Sequence, residues 1–296
     1  MEQKKMKIAV LGATGMAGHV ICLYFQEKGH NVTAISRRPF LHANNNILLD
    51  VHNISGLEKI LLKEKFSAII NCIGVLNQNA ENNKADAIYL NSYLPHYLVQ
   101  ILRNTDTKLI QMSTDCVFAG KTGGYLENSL PDGQSYYDRT KAFGEINDKK
   151  NLTFRNSIIG PDMQEKGIGL FNWFMKQDKP ICGYNKAIWT GVTTLTLAKA
   201  MEAALQDNLI GLYNLVNNKN ISKFELLNLF NKYFKENSIQ ISENDKVVID
   251  KSLINTRTDF SFHVPDYEIM IAEMKIWIDE HKELYPHYFN GGIGHA

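Results

Sequence analysis

The chain of 296 residues carries only four cysteines, Cys22, Cys72, Cys116 and Cys182, with no C-x-x-C pair and no close His/Cys cluster. That excludes a disulfide scaffold and fits reduced thiols in the cytoplasm. Nine histidines are scattered without H-E-x-x-H or similar spacing, so no metal site is expected. Charge of one sign is also missing. The formal net charge of +1 gives no electrostatic case for a nucleic-acid partner. No apolar run approaches the roughly 18 residues of a membrane span. The N-terminal "MEQKKMKIAVLG" is basic and then apolar, but it passes straight into glycines without a cleavage site, so it does not read as a signal peptide. No internal repeat or low-complexity linker is found. With 44% hydrophobic and 21% charged residues, a packed globular core is expected.

What is present is alternation. In "MKIAVLGATGMAGHVICLYFQEKGHNVTAISR" an apolar run, Lys7 to Leu11, ends at a glycine. A helix follows with Met16, Val20, Leu23 and Tyr24 on one face, and Gly29 stops it. "NVTAIS" is then a strand, which completes a βαβ unit. "NILLD", "SAIINCIG", "KLIQMS" and "LTFRNSIIG" read as the third to sixth strands. Between them lie "SGLEKILLKEKF", with Ser55 and Glu58 in capping-box spacing, and the long helix "ADAIYLNSYLPHYLVQILRN", kinked at Pro95. The fold class is α/β, a Rossmann-type doubly wound parallel sheet with a smaller mixed C-terminal lobe. Residues 1–160 form the dinucleotide-binding domain, to which 187–218 return. Residues 161–186 and 219–296 form the substrate lobe. The chain after Gly160 includes the helices "TTLTLAKAMEAALQ" and "SKFELLNLFNKYF", the latter with Ser222 and Glu225 in capping-box spacing. The tail "GGIGHA" is expected to fray.

Gly12, Gly15 and Gly18 stand in "GATGMAG", directly after the first strand and at the opening of the first helix. In that context the loop, with Thr14, Met16 and Ala17, is a pyrophosphate cradle. Glycine lets the backbone approach, and the helix N-terminus offers free N–H groups. The second strand ends in Ser36, Arg37 and Arg38, where a site for NAD would place an acid against the ribose 2′-hydroxyl. An arginine there suits a 2′-phosphate, so NADPH is expected, with NADH as the alternative. Asp50, followed by Val51, either accepts a bond from the adenine amino group or caps a helix.

Tyr137 and Lys141 are four residues apart in a segment read as helix and share one face. The fifth strand ends in "MSTD", Met112 to Asp115, so Thr114 comes to the same cleft. Ketone reduction takes a hydride and a proton. Free tyrosine, with a pKa near 10, holds its proton too tightly near neutral pH. A lysine ammonium and the nicotinium charge would stabilise the phenolate; lowering its pKa by roughly 3 units needs about 4 kcal/mol of differential stabilisation. Thr114 would hydrogen-bond and orient the carbonyl.

"GATGMAG", "NCIG", Asn91, "STD" and "YDRTK" together resemble the extended short-chain dehydrogenase/reductase family. "STDCVFAGKTGGYLEN" and "YYDRTKAFGE" are similar to its dTDP-4-dehydrorhamnose reductase branch. The resemblance is strong from residue 6 to about 160. It implies NADPH-dependent reduction of a nucleotide-linked 4-keto-6-deoxy sugar, for cell-surface polysaccharide synthesis, with Thr114, Tyr137 and Lys141 catalytic. It also implies that Cys72, Ile73, Gly74 and Asn91 line the cofactor, that Asn156 and Ser157 lie near the nicotinamide, and that Val75 and Asn77 belong to the substrate lip. Dehydratases of the family carry a glutamate where Cys116 stands, which disfavours elimination. The helices Ala85–Asn104 and Gln134–Asp148 could pair across a homodimer, as in many relatives. "GYNKAIWTGVTT" departs from the branch's wording, so a UDP-linked amino sugar and an epimerase stay open. So does a non-catalytic NADP-binding regulator. Arg155 reads as a structural salt bridge rather than a phosphate ligand. Trp173 and Trp189 read at least as well as core packing.

Overall fold

The computed structural model describes residues 5–289, so the tail at 291–296 lies outside it. The first half runs β1 (Lys7–Leu11), α1 (Met16–Glu27), β2 (Asn31–Ser36), β3 (Asn45–Leu48), α2 (Ile54–Glu64), β4 (Ala68–Asn71), α3 (Asn77–Asn82) and α4 (Lys84–Ala87). A π-helical turn (Ile88–Tyr93) leads into α5 (Leu94–Ile101), β5 (Lys108–Met112), α6 (Tyr136–Phe143) and β6 (Leu152–Arg155). The second half has β7 (Ser157–Ile159), α7 (Leu170–Met175), β8 (Ile181–Tyr184), β9 (Ala187–Trp189), β10 (Gly191–Thr193), α8 (Thr194–Gln206), β11 (Gly211–Asn214), β12 (Ile221–Ser222) and α9 (Lys223–Phe234). It ends with β13 (Ile241–Asn244), β14 (Ile249–Asp250), α10 (Tyr267–Glu280) and α11 (Pro286–Phe289).

Seven strands form one parallel sheet in the order β11-β6-β5-β4-β1-β2-β3. The chain builds outward from β1 to β3, crosses back, and builds the other way from β4. The crevice where that direction reverses lies at the carboxyl ends of β1 and β4, and it is where such sheets bind ligands. Alternate residues of β1 serve opposite faces. Ile8 and Val10 pack with Val20, Ile21 and Phe25 of α1 and with Leu197 and Met201 of α8. Ala9 and Leu11 pack with Leu57 and Leu61 of α2 and Leu94 and Leu98 of α5. A sheet covered on both faces explains why these strands are apolar throughout. The short sheets β10-β7, β12-β9-β14 and β13-β8 belong to the second half. No helix among the described residues is long and apolar enough to cross a membrane.

Four local readings change. "LTFRNSIIG" is two strands, not one: β6 joins the large sheet, and after Asn156 the chain turns to pair β7 with β10. The distortion in the long helix is the π-helical turn before Pro95. That turn runs without a break into α5, so the local change of helix type lies just where proline interrupts the hydrogen-bond ladder. The cap of α2 is Asn53, whose side chain accepts from Gly56 N at 3.1 Å, so Ser55 lies inside the helix. The helix read as Gln134–Asp148 is only Tyr136–Phe143, started by a capping box of Ser135 and Asp138. It stops at Gly144, where a Cβ would lie 1.8 Å from the Asn91 carbonyl. That backbone contact seats α6 on the π-helical turn.

Arg155 does form the expected salt bridge. Its Nη2 meets Glu145 Oε2 at 2.6 Å and its Nε donates to Oε1 at 2.8 Å, with both side chains buried. Removing one partner leaves a buried charge uncompensated. Arg155→Met is therefore expected to lower stability by about 3–5 kcal/mol in denaturant unfolding.

Candidate functional site

The glycine loop occupies the switch-point crevice. Gly12 adopts φ +76°, and its N–H donates to Ile35 O at 2.9 Å. A Cβ on Gly12 would come 3.0 Å from Ile73 Cγ1, and one on Gly18 would come 2.2 Å from the Gly12 carbonyl. These two glycines therefore let the loop fold back on itself. Gly15, exposed at the mouth, would clear its nearest neighbour at 3.4 Å. It is the N-cap of α1 and leaves the helix with no side-chain cap and no acid in its first turn. The first N–H groups of α1 are thus open to an anion. Thr14 and Met16 are half-buried at the same mouth, while Ala17 is buried beneath it. His19 holds the loop from below. Its Nδ1 is 2.9 Å from Gly15 O and its Nε2 is 2.8 Å from Tyr285 OH. Burial pushes His19 down to about 4, so the ring is neutral at ordinary pH.

At the end of β2, Ser36 Oγ donates to Arg38 O at 2.5 Å, and Arg37 and Arg38 are exposed. Neither arginine forms an ion pair among the described residues. Asp50 does not cap a helix. Its Oδ1 accepts from His52 N at 3.0 Å and lies 2.7 Å from His52 Nδ1. His52 Nε2 is 2.9 Å from Asp86, and its ring stacks on Tyr89 at 4.6 Å. Bonding to these carboxylates raises the imidazole pKa, Asp50 contributing most. Val51 is buried and accepts from Tyr89 OH through its carbonyl at 2.9 Å.

Cys72, Ile73 and Gly74 lead from the end of β4 past the glycine loop, and exposed Asn77 begins α3. Asn91 has no exposed surface. Its Oδ1 accepts from Val75 N at 2.8 Å, and its Nδ2 donates to Val75 O at 2.9 Å and to Thr140 Oγ1 at 3.1 Å. It shapes the loop after β4, with both of its amide protons engaged. Val75, Ala80, Ala87 and Cys116 pack against Tyr137.

Thr114, Tyr137 and Lys141 are all buried at this crevice. Thr114 adjoins the Tyr137 phenol and favours its ionised form. Lys141 Nζ donates to the Met112 carbonyl at 2.5 Å. Burial pushes Tyr137 above its usual range, with the Cys116 sulfur adding to the rise and Thr114 opposing it. Burial lowers Lys141 to about 8, against the pull of Glu145. Asn156 is buried, with Nδ2 on Ser157 O at 3.2 Å and no partner for Oδ1 among the described residues. Ser157 is half-buried beside it. Trp189 is buried against Tyr267, whereas Trp173 is partly exposed.

Some contributors escape a reading of the sequence. Glu145 Oε1 accepts from Ser113 Oγ at 2.6 Å, which ties the residue before Thr114 to the Arg155 pair. The G-E after the lysine in "YYDRTKAFGE" is its only signal. Tyr285, 266 residues from His19, has none.

A doubly wound sheet with a glycine loop at its switch point, and a threonine, tyrosine and lysine beside it, is the architecture of the extended short-chain dehydrogenases/reductases. The chain belongs to the family described as RmlD substrate binding domain, whose model matches residues 6–248. It is 29% identical over 138 residues to dTDP-4-dehydrorhamnose reductase of Streptomyces griseus, a stretch that is 46% of this chain and 42% of that protein. The match thus spans less than half the length of that relative. The fold is similar to that of dTDP-4-dehydrorhamnose reductase from Bacillus anthracis in complex with NADP, with TM-score 0.76, 19% identity, and coverage of 92% of this chain and 99% of that one. It is also similar to a UDP-N-acetylglucosamine 4-epimerase from Methanobrevibacter ruminantium, with TM-score 0.77, 16% identity, and coverage of 94% and 99%.

Gly18→Ala should abolish dinucleotide binding, read as loss of NADPH fluorescence enhancement. Gly29→Ala, outside the loop with open space but at φ +82°, should cost about 1–2 kcal/mol of stability and leave that binding intact.

Proposed function

We propose that this chain is an NADPH-dependent reductase of the 4-keto group of a nucleotide-diphospho-6-deoxyhexose. The observation that carries the reading is the joint burial of Thr114, Tyr137 and Lys141 beside the glycine loop, with Tyr137 and Lys141 on the same helix. The family to which the chain belongs, and the reductase names of its partial relatives, support it. The residues fit a nicotinamide dinucleotide. The uncapped start of α1 and the Gly12–Gly18 loop would take its diphosphate, and Arg37 or Arg38 a 2′-phosphate. Asn156 Oδ1, an orphaned buried acceptor, would take an N–H of the carboxamide.

When bound, the cofactor supplies the hydride. Tyr137 gives its proton to the carbonyl oxygen, and the neutral carbonyl becomes an alcohol. Lys141, fixed on Met112, supplies positive potential at the cleft floor. Val75, Ala80 and Ala87 keep water from the phenol. The Cys116 thiol is pushed up to about 12 by burial and nearby Asp115, so it offers no base for eliminating water. This favours reduction over dehydration.

The test is NADPH oxidation with dTDP- and UDP-linked 4-keto-6-deoxy sugars. Tyr137→Phe is expected to lower kcat by about 100-fold or more while NADPH still binds. Tight NADPH binding without reduction of any keto sugar would sink the proposal. In the same assay, the double change Arg37→Ala and Arg38→Ala should raise KM for NADPH about tenfold or more and leave KM for NADH nearly unchanged. Equal effects on both would remove the arginines from 2′-phosphate recognition.

A further inference from the structure

His19 and Tyr285 have no exposed surface, and their bonds admit one arrangement of protons. The Gly15 carbonyl can only accept, so His19 Nδ1 carries a proton toward it at 2.9 Å. Trp277 Nε1 can only donate, and it gives its proton to the Tyr285 oxygen at 3.2 Å. The Tyr285 O–H is then the donor to His19 Nε2 at 2.8 Å, which fixes the ring as the neutral Nδ1–H tautomer. The series ends on one peptide. Gly15 and Met16 are joined by a trans bond, so the Gly15 C=O and the Met16 N–H lie in one plane and point opposite ways. Holding the carbonyl down on His19 aims the Met16 N–H, one of the open donors of α1, out of the mouth.

The same end of the chain holds the facing side of that mouth. The Tyr288 ring stacks on Tyr285 at 5.9 Å. Its hydroxyl accepts from Asp162 N at 2.9 Å and donates to Asn172 Oδ1 at 2.9 Å. Buried Asn172 donates in turn to the carbonyls of Glu165 and Gly167. These bonds shape the chain between β7 and α7. That chain returns to the glycine loop at exposed Gly169, where a Cβ would lie 3.6 Å from Met16 Sδ.

We propose that Tyr285 and Tyr288 are positioning residues of the dinucleotide site: Tyr285, through His19, aims the Met16 N–H at the diphosphate, and Tyr288 holds the facing wall at Gly169. This rests on the dinucleotide reading of the glycine loop and needs no keto sugar. Without the Tyr285 hydroxyl the imidazole is free to take its other tautomer, which turns a lone pair toward the Gly15 carbonyl and releases that peptide. Without the Tyr288 hydroxyl, Asp162 N and Asn172 Oδ1 both lose their buried partner, and the wall loses its anchor.

The test titrates wild type, Tyr285→Phe and Tyr288→Phe with NADPH and with NADH, read by nucleotide fluorescence. Each variant should weaken both dinucleotides by the same factor, about tenfold, because both carry the diphosphate. In turnover KM for NADPH should rise while kcat at saturation is retained. Tyr24→Phe is the control for a lost buried hydroxyl. Its OH donates to Glu202 Oε2 at 2.6 Å from the same helix as Met16. It should lower the thermal midpoint, as the other two do, and leave both affinities unchanged. His19→Asn, whose amide can still donate to Gly15 O, should bind NADPH more tightly than His19→Leu. Nitrogen NMR of His19 reads the wiring without any ligand: Nδ1 should be protonated and Nε2 bare, and Tyr285→Phe should shift Nε2. Unchanged affinity in folded Tyr285→Phe or Tyr288→Phe would overturn the role of that tyrosine. A loss confined to NADPH would overturn the assignment to the diphosphate, and a protonated Nε2 would overturn the wiring. If the wild type bound NADPH but reduced no keto sugar, the reductase reading alone would fail, and the affinities would still decide the two tyrosines.

Discussion

The buried pair of Glu145 and Arg155 is the constraint on which the site depends. Glu145 follows α6, and Arg155 ends β6. Through one carboxylate they also fix Ser113, and with it the start of the Thr114 turn. The guanidinium lies over the Phe118 ring at 5.0 Å, and that ring stacks on Tyr125 at 4.0 Å. Its remaining donors reach the carbonyls of Leu126 and Glu127. One ion pair thus joins two strand ends, the helix bearing Tyr137 and Lys141, and the loop between them. Its own net energy is small once desolvation is counted. Its consequence is that Thr114 and Lys141 cannot move independently.

A second consequence is electrostatic. Burial dominates every shift at the site: it raises Tyr137, Cys116 and Asp115 and lowers Lys141. Each shift favours the neutral form. A site that favours neutral groups suits a reaction that adds a proton and a hydride to a neutral carbonyl.

The second half contributes to the glycine loop as well as packing beside it. α8 covers α1, β11 extends the large sheet, and Tyr285 reaches His19 beneath Gly15. Trp277 Nε1 donates to the same Tyr285 hydroxyl at 3.2 Å. The conformation of the loop therefore depends on residues near the end of the described chain.

By itself the sequence determined the class of fold, because strand and helix periodicities and a glycine turn between them are local properties. The same local spacing put Tyr137 and Lys141 on one helical face and Ser222 and Glu225 in a capping box. It did not show where α6 stops, since Gly144 is required by the Asn91 carbonyl, 53 residues earlier in the chain. It did not show that Asn91 would be spent on Val75 or that Lys141 would bind Met112. Those outcomes were decided by which backbone groups the tertiary fold brought within hydrogen-bond reach. A residue's type and spacing specify what it can bond to, but partners distant in sequence are chosen only when packing excludes water.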